Sequence, residues 1–377
     1  MTNLYIYLKG GRILKKILTI FSLVLVVIFI SSCRGNEYEI ALITDVGTIN
    51  DKSFNQGSWE GVVKYAEEND VSHKYYQPKA KTDKDYLDSI KLAVDNGAKV
   101  VVTPGFYFEP AIQEAQSRYK DVTFIIIDGR PQDIQDNVYS ILYAEEQSGF
   151  LAGYAAVKEG FTNLGYMGGQ AVPSVQRFGL GYIQGAEYAA KEMDKVIQIR
   201  YKYLNLFEED ASIVTEASAW YQGGIEVIFV AAGGAGGSVM AAAEDQTNPD
   251  DNIYKYVIGV DVDQKDESET VITSAMKELK DSVYMCLKAI YEEDDSVFTA
   301  GEINVFAAEN NGVRLSNDFS RFKNFTKTDY NDLFTKLKNN TDNIRTNIVS
   351  DIEIEPDKLE LQNTTVTYEK PTTGGET

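Results

Sequence analysis

The chain has 377 residues, of which 44% are hydrophobic and 25% charged, the balance of a folded soluble protein long enough for two lobes. Its formal net charge of −21 repels nucleic acid and anionic lipid, and the cluster Lys79, Lys81 and Lys84 is too diluted by Asp83 and Asp85 to form a basic stripe. A single histidine, His73, reads as a surface or strand-edge residue; it leaves no metal constellation, no serine or cysteine triad of the usual kind, and no cofactor to expect.

In chain order, Lys9, Arg12, Lys15 and Lys16 precede the 14-residue apolar run "ILTIFSLVLVVIFI", with no acid among residues 1–32. This is the outline of a secretory signal peptide, and the run is shorter than the roughly 20 residues of a spanning helix. Ser31 and Ser32 then lead to Cys33, a pattern that resembles a bacterial lipobox, although Ile30 stands where leucine is usual. Cleavage before Cys33 and acylation of its thiol and new amino end would tether the chain to the outer face of the cell membrane. Removing the leader takes the net charge from −21 to −25. Cys286, the only other cysteine, reads as a small core residue, so no disulfide is expected.

From Glu39 onward, near-continuous apolar runs end in small or acidic residues: "EIALITD", "AKVVVTPG", "VTFIIIDG", "NLGYMGG", "VIFVAAGG" and "KYVIGVD". Such runs fit strands buried on both faces of a parallel sheet. Amphipathic stretches such as "SFNQGSWEGVVKYAEEN", "DYLDSIKLAVDNG" and "FGLGYIQGAEYAAKEM" separate them, so the pattern is βαβ repeated. The series restarts at "EEQSGFLAGYAAVKEG", which predicts an α/β fold of two doubly wound parallel-sheet lobes. Expected boundaries are 37–143 plus about 268–298 for the first lobe and 144–265 plus about 300–362 for the second. "EINVFAAENNGVRLS" reads as a hairpin or loop pair, "TKTDYNDLFTKLKNNT" as a helix, and residues 363–377 as a disordered tail.

Ligands of open parallel sheets bind beyond the carboxyl ends of the strands. Asp45, Asp128, Gly233, Gly234 and Asp261 stand at such ends, and two facing lobes would gather them in one cleft. In "DVGTINDKSFNQG", Asp51 or Ser53 can cap the next helix, but capping explains neither Asp45 nor Phe54, a large ring in a first turn. A strand-end carboxylate accepts from hydroxyl or N–H donors, and a neighbouring ring offers a flat heterocycle a face; Phe54 as core filler is the alternative. "AAGGAGGSV" lacks the lysine of a P-loop, although amides at the following helix start can bind hydroxyls or one carboxylate.

Taken together, "DVGTINDKSFNQGSWEG", "FLAGYAA", "GYMGG", "FGLGYIQGA", "VIFVAAGGAGG", "GVDVDQ" and "TSAMK" resemble the basic membrane protein family, substrate-binding lipoproteins of ABC transporters that include a purine nucleoside receptor. The resemblance spans roughly residues 38–290. It implies a bilobed periplasmic-binding-protein fold of type I with three interlobe crossings and a nucleoside held between two rings, Phe54 and Phe229; Phe229 as a core residue is the alternative. Asp45 and Asp128, with Asn55 and Gly234 nearby, would form the polar wall, and Asp261 and Lys277 would hold ribose hydroxyls. Many members carry two glycines after the strand-end Asp and an acidic pair before Ser-Phe; Thr48 and Asn50 here depart from that and leave the base preference open.

The expected function is a lipid-anchored, monomeric receptor that captures a purine nucleoside and passes it to an ABC permease, without nucleic acid, metal or cofactor. A sensor or adhesin on the same fold, or a nucleoside hydrolase using Asp45 and Asp51 as acid and base, are the alternatives. The clustered acidic metal-binding motif of such hydrolases is missing from the sequence.

Overall fold

The computed structural model describes residues 38–45, 47–294 and 296–370. The leader and Cys33 lie outside these residues. The six apolar runs form β1 (Ile40–Ile43), β3 (Val100–Pro104), β4 (Thr123–Ile127), β6 (Asn163–Gly168), β8 (Val227–Ala231) and β9 (Tyr256–Asp261). They are the inner strands of two sheets, and all the residues of β1, β3 and β8 are buried, as helices on both faces require.

The first sheet adds β2 (His73–Tyr76), β5 (Val138–Tyr143) and β11 (Ile303–Phe306) in the order β11-β5-β4-β3-β1-β2, every pair parallel. His73 lies on its edge strand. The second adds β7 (Ile197–Tyr203), β10 (Val271–Lys277), β12 (Val313–Leu315) and β13 (Thr364–Glu369) in the order β12-β10-β9-β8-β6-β7-β13. Only β12 there runs antiparallel to its neighbour. Strand order reverses at β1 in one sheet and at β6 in the other, and the ligand crevice of such sheets lies outside those strand ends.

Three crossings join the lobes. After β5 the chain enters α4 (Glu145–Glu159), which packs on β10, on β12 and on α5 (Pro173–Met193) in the second lobe. The two helices touch backbone to backbone: a Cβ on Gly153 would come 2.0 Å from the Tyr182 carbonyl oxygen, and one on Gly185 would come 1.9 Å from that of Phe150. After β10 the chain returns with α8 (Leu279–Glu292), which packs on α1 (Phe54–Glu68) of the first lobe. The third crossing runs from β11 to β12. The remaining helices, α2 (Asp83–Asp95), α3 (Glu109–Arg118), α6 (Ala211–Gln222), α7 (Gly236–Gln246) and α9 (Lys327–Lys338), fill the βα connections and the second lobe's outer layer.

Three expectations are corrected here. Residues 271–277, expected in the first lobe, form β10 of the second sheet, hydrogen bonded to β9. "EINVFAAENNGVRLS" is not a hairpin, because β11 pairs with β5 while β12 pairs with β10 in the other sheet. Residues 364–369, expected as disordered tail, form β13 along β7; Thr364, Val366 and Tyr368 are more buried than the residues between them, an alternation hidden by polar composition. Residues 371–377 lie outside the described part.

Candidate functional site

The turn after β1 is organised by two carboxylates and one amide. Asp51 accepts from the backbone N–H of Ser53 at 2.9 Å, of Asn55 at 2.9 Å and of Gln56 at 3.1 Å, so it satisfies the open donors at the start of α1. Ser53, although it stands at the cap position, is thereby free of that task. Its hydroxyl instead donates across the cleft to Asp261 Oδ2 at 2.6 Å.

Asn55 spends its side chain within this turn. Its Nδ2 donates to Asp45 Oδ1 at 2.8 Å and Asp51 Oδ2 at 2.9 Å, and its Oδ1 accepts from the Asp45 backbone N–H at 3.2 Å. Asn55 lines the cleft but acts by fixing Asp45. Gly105, with φ of 120°, lies against the same carboxylate, where a Cβ would come 2.9 Å from Asp45 Cβ; this is the one position of the wall that needs glycine twice over. Burial pushes the Asp45 carboxyl up to about 6, against the pull of the Gly47 N–H and the Asn55 amide; Asp51 pushes in the same upward direction.

The opposite wall centres on Lys277, the last residue of β10. Its Nζ bonds Asp128, lies 3.4 Å from Glu145 and 3.5 Å from Asp261, and stands 4.9 Å from the Phe54 ring centroid and 5.2 Å from that of Phe178. Asp128 follows β4 and Asp261 ends β9, with φ of 57° and 67°, a region that Asp tolerates better than most residues. Burial pushes Asp128 up to about 7 in spite of the lysine charge. The lysine itself, although burial opposes it, is held above its ordinary range by Asp128, Asp261 and Glu145.

Between these walls lies a cleft that opens between the two lobes. Asp45, Phe54, Asn55, Asp128, Gly234, Asp261 and Lys277, all expected from sequence, line it. Phe229 does not. It sits mid-strand in β8, wholly buried, edge-on to Tyr166, Phe178 and Tyr182 at 5.3 to 5.8 Å, and so belongs to the second lobe's core.

The aromatic lining on the second lobe is Phe178 and Phe207, with Phe106 and Tyr107 beside Phe54 on the first. Sequence reasoning missed all of these but Phe54. Phe178 carried a signal, since Ser174, Val175 and Phe178 share one face of the helix beginning at Pro173. It also missed Glu145 and Arg177, joined at 2.6 Å behind Lys277, although Glu145 closely follows a buried strand just as Asp45, Asp128 and Asp261 do. Around the cleft the lobes also meet directly. Gln264 Nε2 donates to the Lys52 carbonyl at 2.9 Å, Lys52 pairs with Glu267, and Tyr107 bonds Gln170. The arrangement is a half-open cleft lined by acceptors and aromatic faces, suited to holding a small polar ligand with a flat part.

Similarities to known proteins agree with that geometry. Residues 39–348 match the Bmp family, described as ABC transporter substrate-binding protein PnrA-like. The chain is 32% identical over 299 residues to the ABC transporter nucleoside-binding protein BmpA of Lactococcus lactis subsp. cremoris (strain MG1363), covering 75% of this chain and 82% of that one. It is 28% identical over 349 residues to Basic membrane protein D of Borreliella burgdorferi (strain JD1), covering 90% and 96%.

Among solved structures, an ABC transporter system solute-binding protein from Aeropyrum pernix K1 superposes with a TM-score of 0.68 at 21% identity, over 80% of this chain and 86% of that one. A transcriptional activator of the comK gene from Bacillus halodurans follows at 0.63 and 17%, over 80% and 96%. At such identities the structures speak for the fold alone, a periplasmic binding protein of type I. Two lobes, three crossings and an acceptor-lined cleft are what a solute receptor needs, and with the family match extending over most of its length the chain belongs to the Bmp family of PnrA-like ABC transporter substrate-binding proteins.

Proposed function

We propose that this chain is the lipid-anchored receptor of an ABC importer, capturing a purine nucleoside in the interlobe cleft and presenting it to the permease. The observation that carries the ligand is the placement of the Phe54 ring in a cleft whose carboxylates retain free acceptors: Asp128 Oδ1 is buried without a hydrogen-bond partner. A base stacks on the ring, with Phe178 or Phe207 on the other lobe as the second face, while N–H and O–H donors reach Asp45, Asp128 and Asp261. Similarity to the nucleoside-binding protein of Lactococcus supports the same ligand class. Calorimetry with guanosine, inosine, adenosine, their monophosphates and ribose, each with and without chelator, tests the reading. Nucleosides are expected to bind equally well with chelator, and a monophosphate binding more tightly than its nucleoside would sink it.

Proton release gives a second check. Asp45 at about 6 and Asp128 at about 7 each carry a fraction of a proton near pH 6.5. A ligand that donates to these carboxylates favours their charged forms and expels that fraction. Binding heats measured at pH 6.5 in buffers of different ionisation enthalpy should therefore report net release, which vanishes by about pH 8.5, where both are already ionised. Uptake, or no buffer dependence at pH 6.5, counts against ligand contact with both groups. In the ligand-free protein the sign is also fixed: their folded values lie above the ordinary 3.8, so the stability they contribute is full below about pH 4 and is lost as pH rises through 6 and 7.

Anchoring rests on the run before Cys33. Cys33→Ser should move the chain from the membrane to the soluble fraction, since acylation supplies the tether. Mass spectrometry finding an intact leader and an unmodified Cys33 in the wild-type chain would refute it.

A further inference from the structure

Behind Lys277 lies a pair of charges with no part in the ligand contacts described above. Glu145 is wholly buried and does not line the cleft, whereas Asp128, Asp261 and Lys277 do. Its Oε2 accepts from Arg177 Nε at 2.6 Å, and its Oε1 lies 3.4 Å from Lys277 Nζ. From the rear of the site forward the charges alternate: Arg177, Glu145, Lys277, then Asp128 and Asp261 at the ligand space. Tyr143 faces Asp128 and Glu145, Glu146 faces Glu145 and Arg177, and Tyr166 faces Asp261.

An ammonium group has three donors, and here three carboxylates compete for it. If Lys277 stood fully forward, it would cover the acceptor oxygens that ligand donors need. If it stood fully back, Asp128 and Asp261 would be buried without a counter-charge, which favours their neutral forms. Glu145 supplies the backward pull, and Arg177 limits that pull by holding the other oxygen of Glu145. As it stands, Lys277 is hydrogen bonded to one oxygen of Asp128 and only ion-paired with Glu145, so Asp128 Oδ1 and Glu145 Oε1 are both left without a hydrogen-bond partner.

We infer that Glu145 and Arg177 are positioning residues that set where Lys277 stands, and thereby how strongly the cleft binds the hydroxyl donors of its ligand. The inference rests on the nucleoside reading only for the choice of probe. The test uses Glu145→Gln, Arg177→Met and Arg177→Lys in the full-length chain, each checked for fold by circular dichroism. Crystal structures locate Lys277 Nζ, and calorimetry compares guanosine with 2′,3′-dideoxyguanosine.

The two changes should displace Lys277 in opposite directions: away from Glu145 and toward Asp261 in Glu145→Gln, with the Asp128 bond kept, and toward Glu145 in Arg177→Met. Both should weaken guanosine by about tenfold or more and dideoxyguanosine by less than about threefold, with Arg177→Lys recovering most of the loss. An unmoved Lys277 Nζ in whichever variant folds, or equal losses for the two nucleosides, overturns the inference. If guanosine fails to bind the wild-type chain, the nucleoside reading falls, and the displacement of Lys277 alone decides the positioning role.

Discussion

Lys277→Met is expected to lower the folding stability by about 3–5 kcal/mol at pH 8, because it strands buried carboxylates that share one ammonium. Asp128, Glu145 and Asp261 would be left with Arg177 as the nearest remaining cation, and Arg177 is already bonded to Glu145. The loss should shrink at pH 5, where the stranded carboxyls escape the penalty by taking up protons; in the variant, stability therefore falls as pH rises from 5 to 8. Adding Asp128→Asn to the Lys277→Met background should restore part of the loss at pH 8, since one stranded charge is gone. Urea denaturation at the two pH values measures this. A cost below about 1 kcal/mol at pH 8 would mean that water or a rearranged partner compensates the cluster.

The second large effect separates two phenylalanines with different duties. Phe229→Ala should destabilise the fold by about 3–5 kcal/mol, the usual range for emptying a packed aromatic site, while leaving the folded protein's preference among ligands unchanged. Phe54 is half-buried and lines the cleft, so Phe54→Ala should cost little stability. Loss of one stacking face should instead weaken a nucleoside by about 1–3 kcal/mol, roughly 5- to 150-fold, and leave a plain sugar nearly unaffected. Phe178→Ala should show both effects, since that ring borders the cleft and packs edge-on against Phe229. Equal affinity of wild type and Phe54→Ala for guanosine, inosine and adenosine would remove the stacking wall. A Phe229→Ala protein of unchanged stability would contradict the packing around β8.

These two residues also mark how far the sequence could be read. The inner strands were legible because burial on both faces demands continuous apolar runs, and six such runs became six inner strands. The cleft carboxylates were legible for a related reason: Asp45, Asp128 and Asp261 break those runs at the end where the sheets open. Phe229 was not, because every residue of "VIFVA" is buried and a wholly apolar strand carries no mark of which ring would reach its end. Lobe membership failed at β10 and β11 because it is decided by which strand each pairs with, and that partner is distant in sequence for β11, which joins β5. Arg177 and Glu145 were hidden for the same cause, as their meeting depends on how α4 lies against α5.

The strand at one edge of the second sheet is the last described element of the chain. β13 pairs with β7 through six registered positions, Arg200 and Glu369 meet across 169 residues of sequence, and Tyr368 stands edge-on to Tyr201 and Tyr203. Until Thr364–Glu369 has been synthesised and docked, β7 presents a row of unpaired backbone groups together with uncovered tyrosines. Such an edge is a template for another chain, so the second lobe is vulnerable to aggregation for almost the whole of its synthesis. A chain shortened before Thr364 would carry that open edge permanently, with the ligand cleft at the far side of the sheet's own residues still intact in sequence. What reads as a polar tail is the segment that covers β7 and its tyrosines.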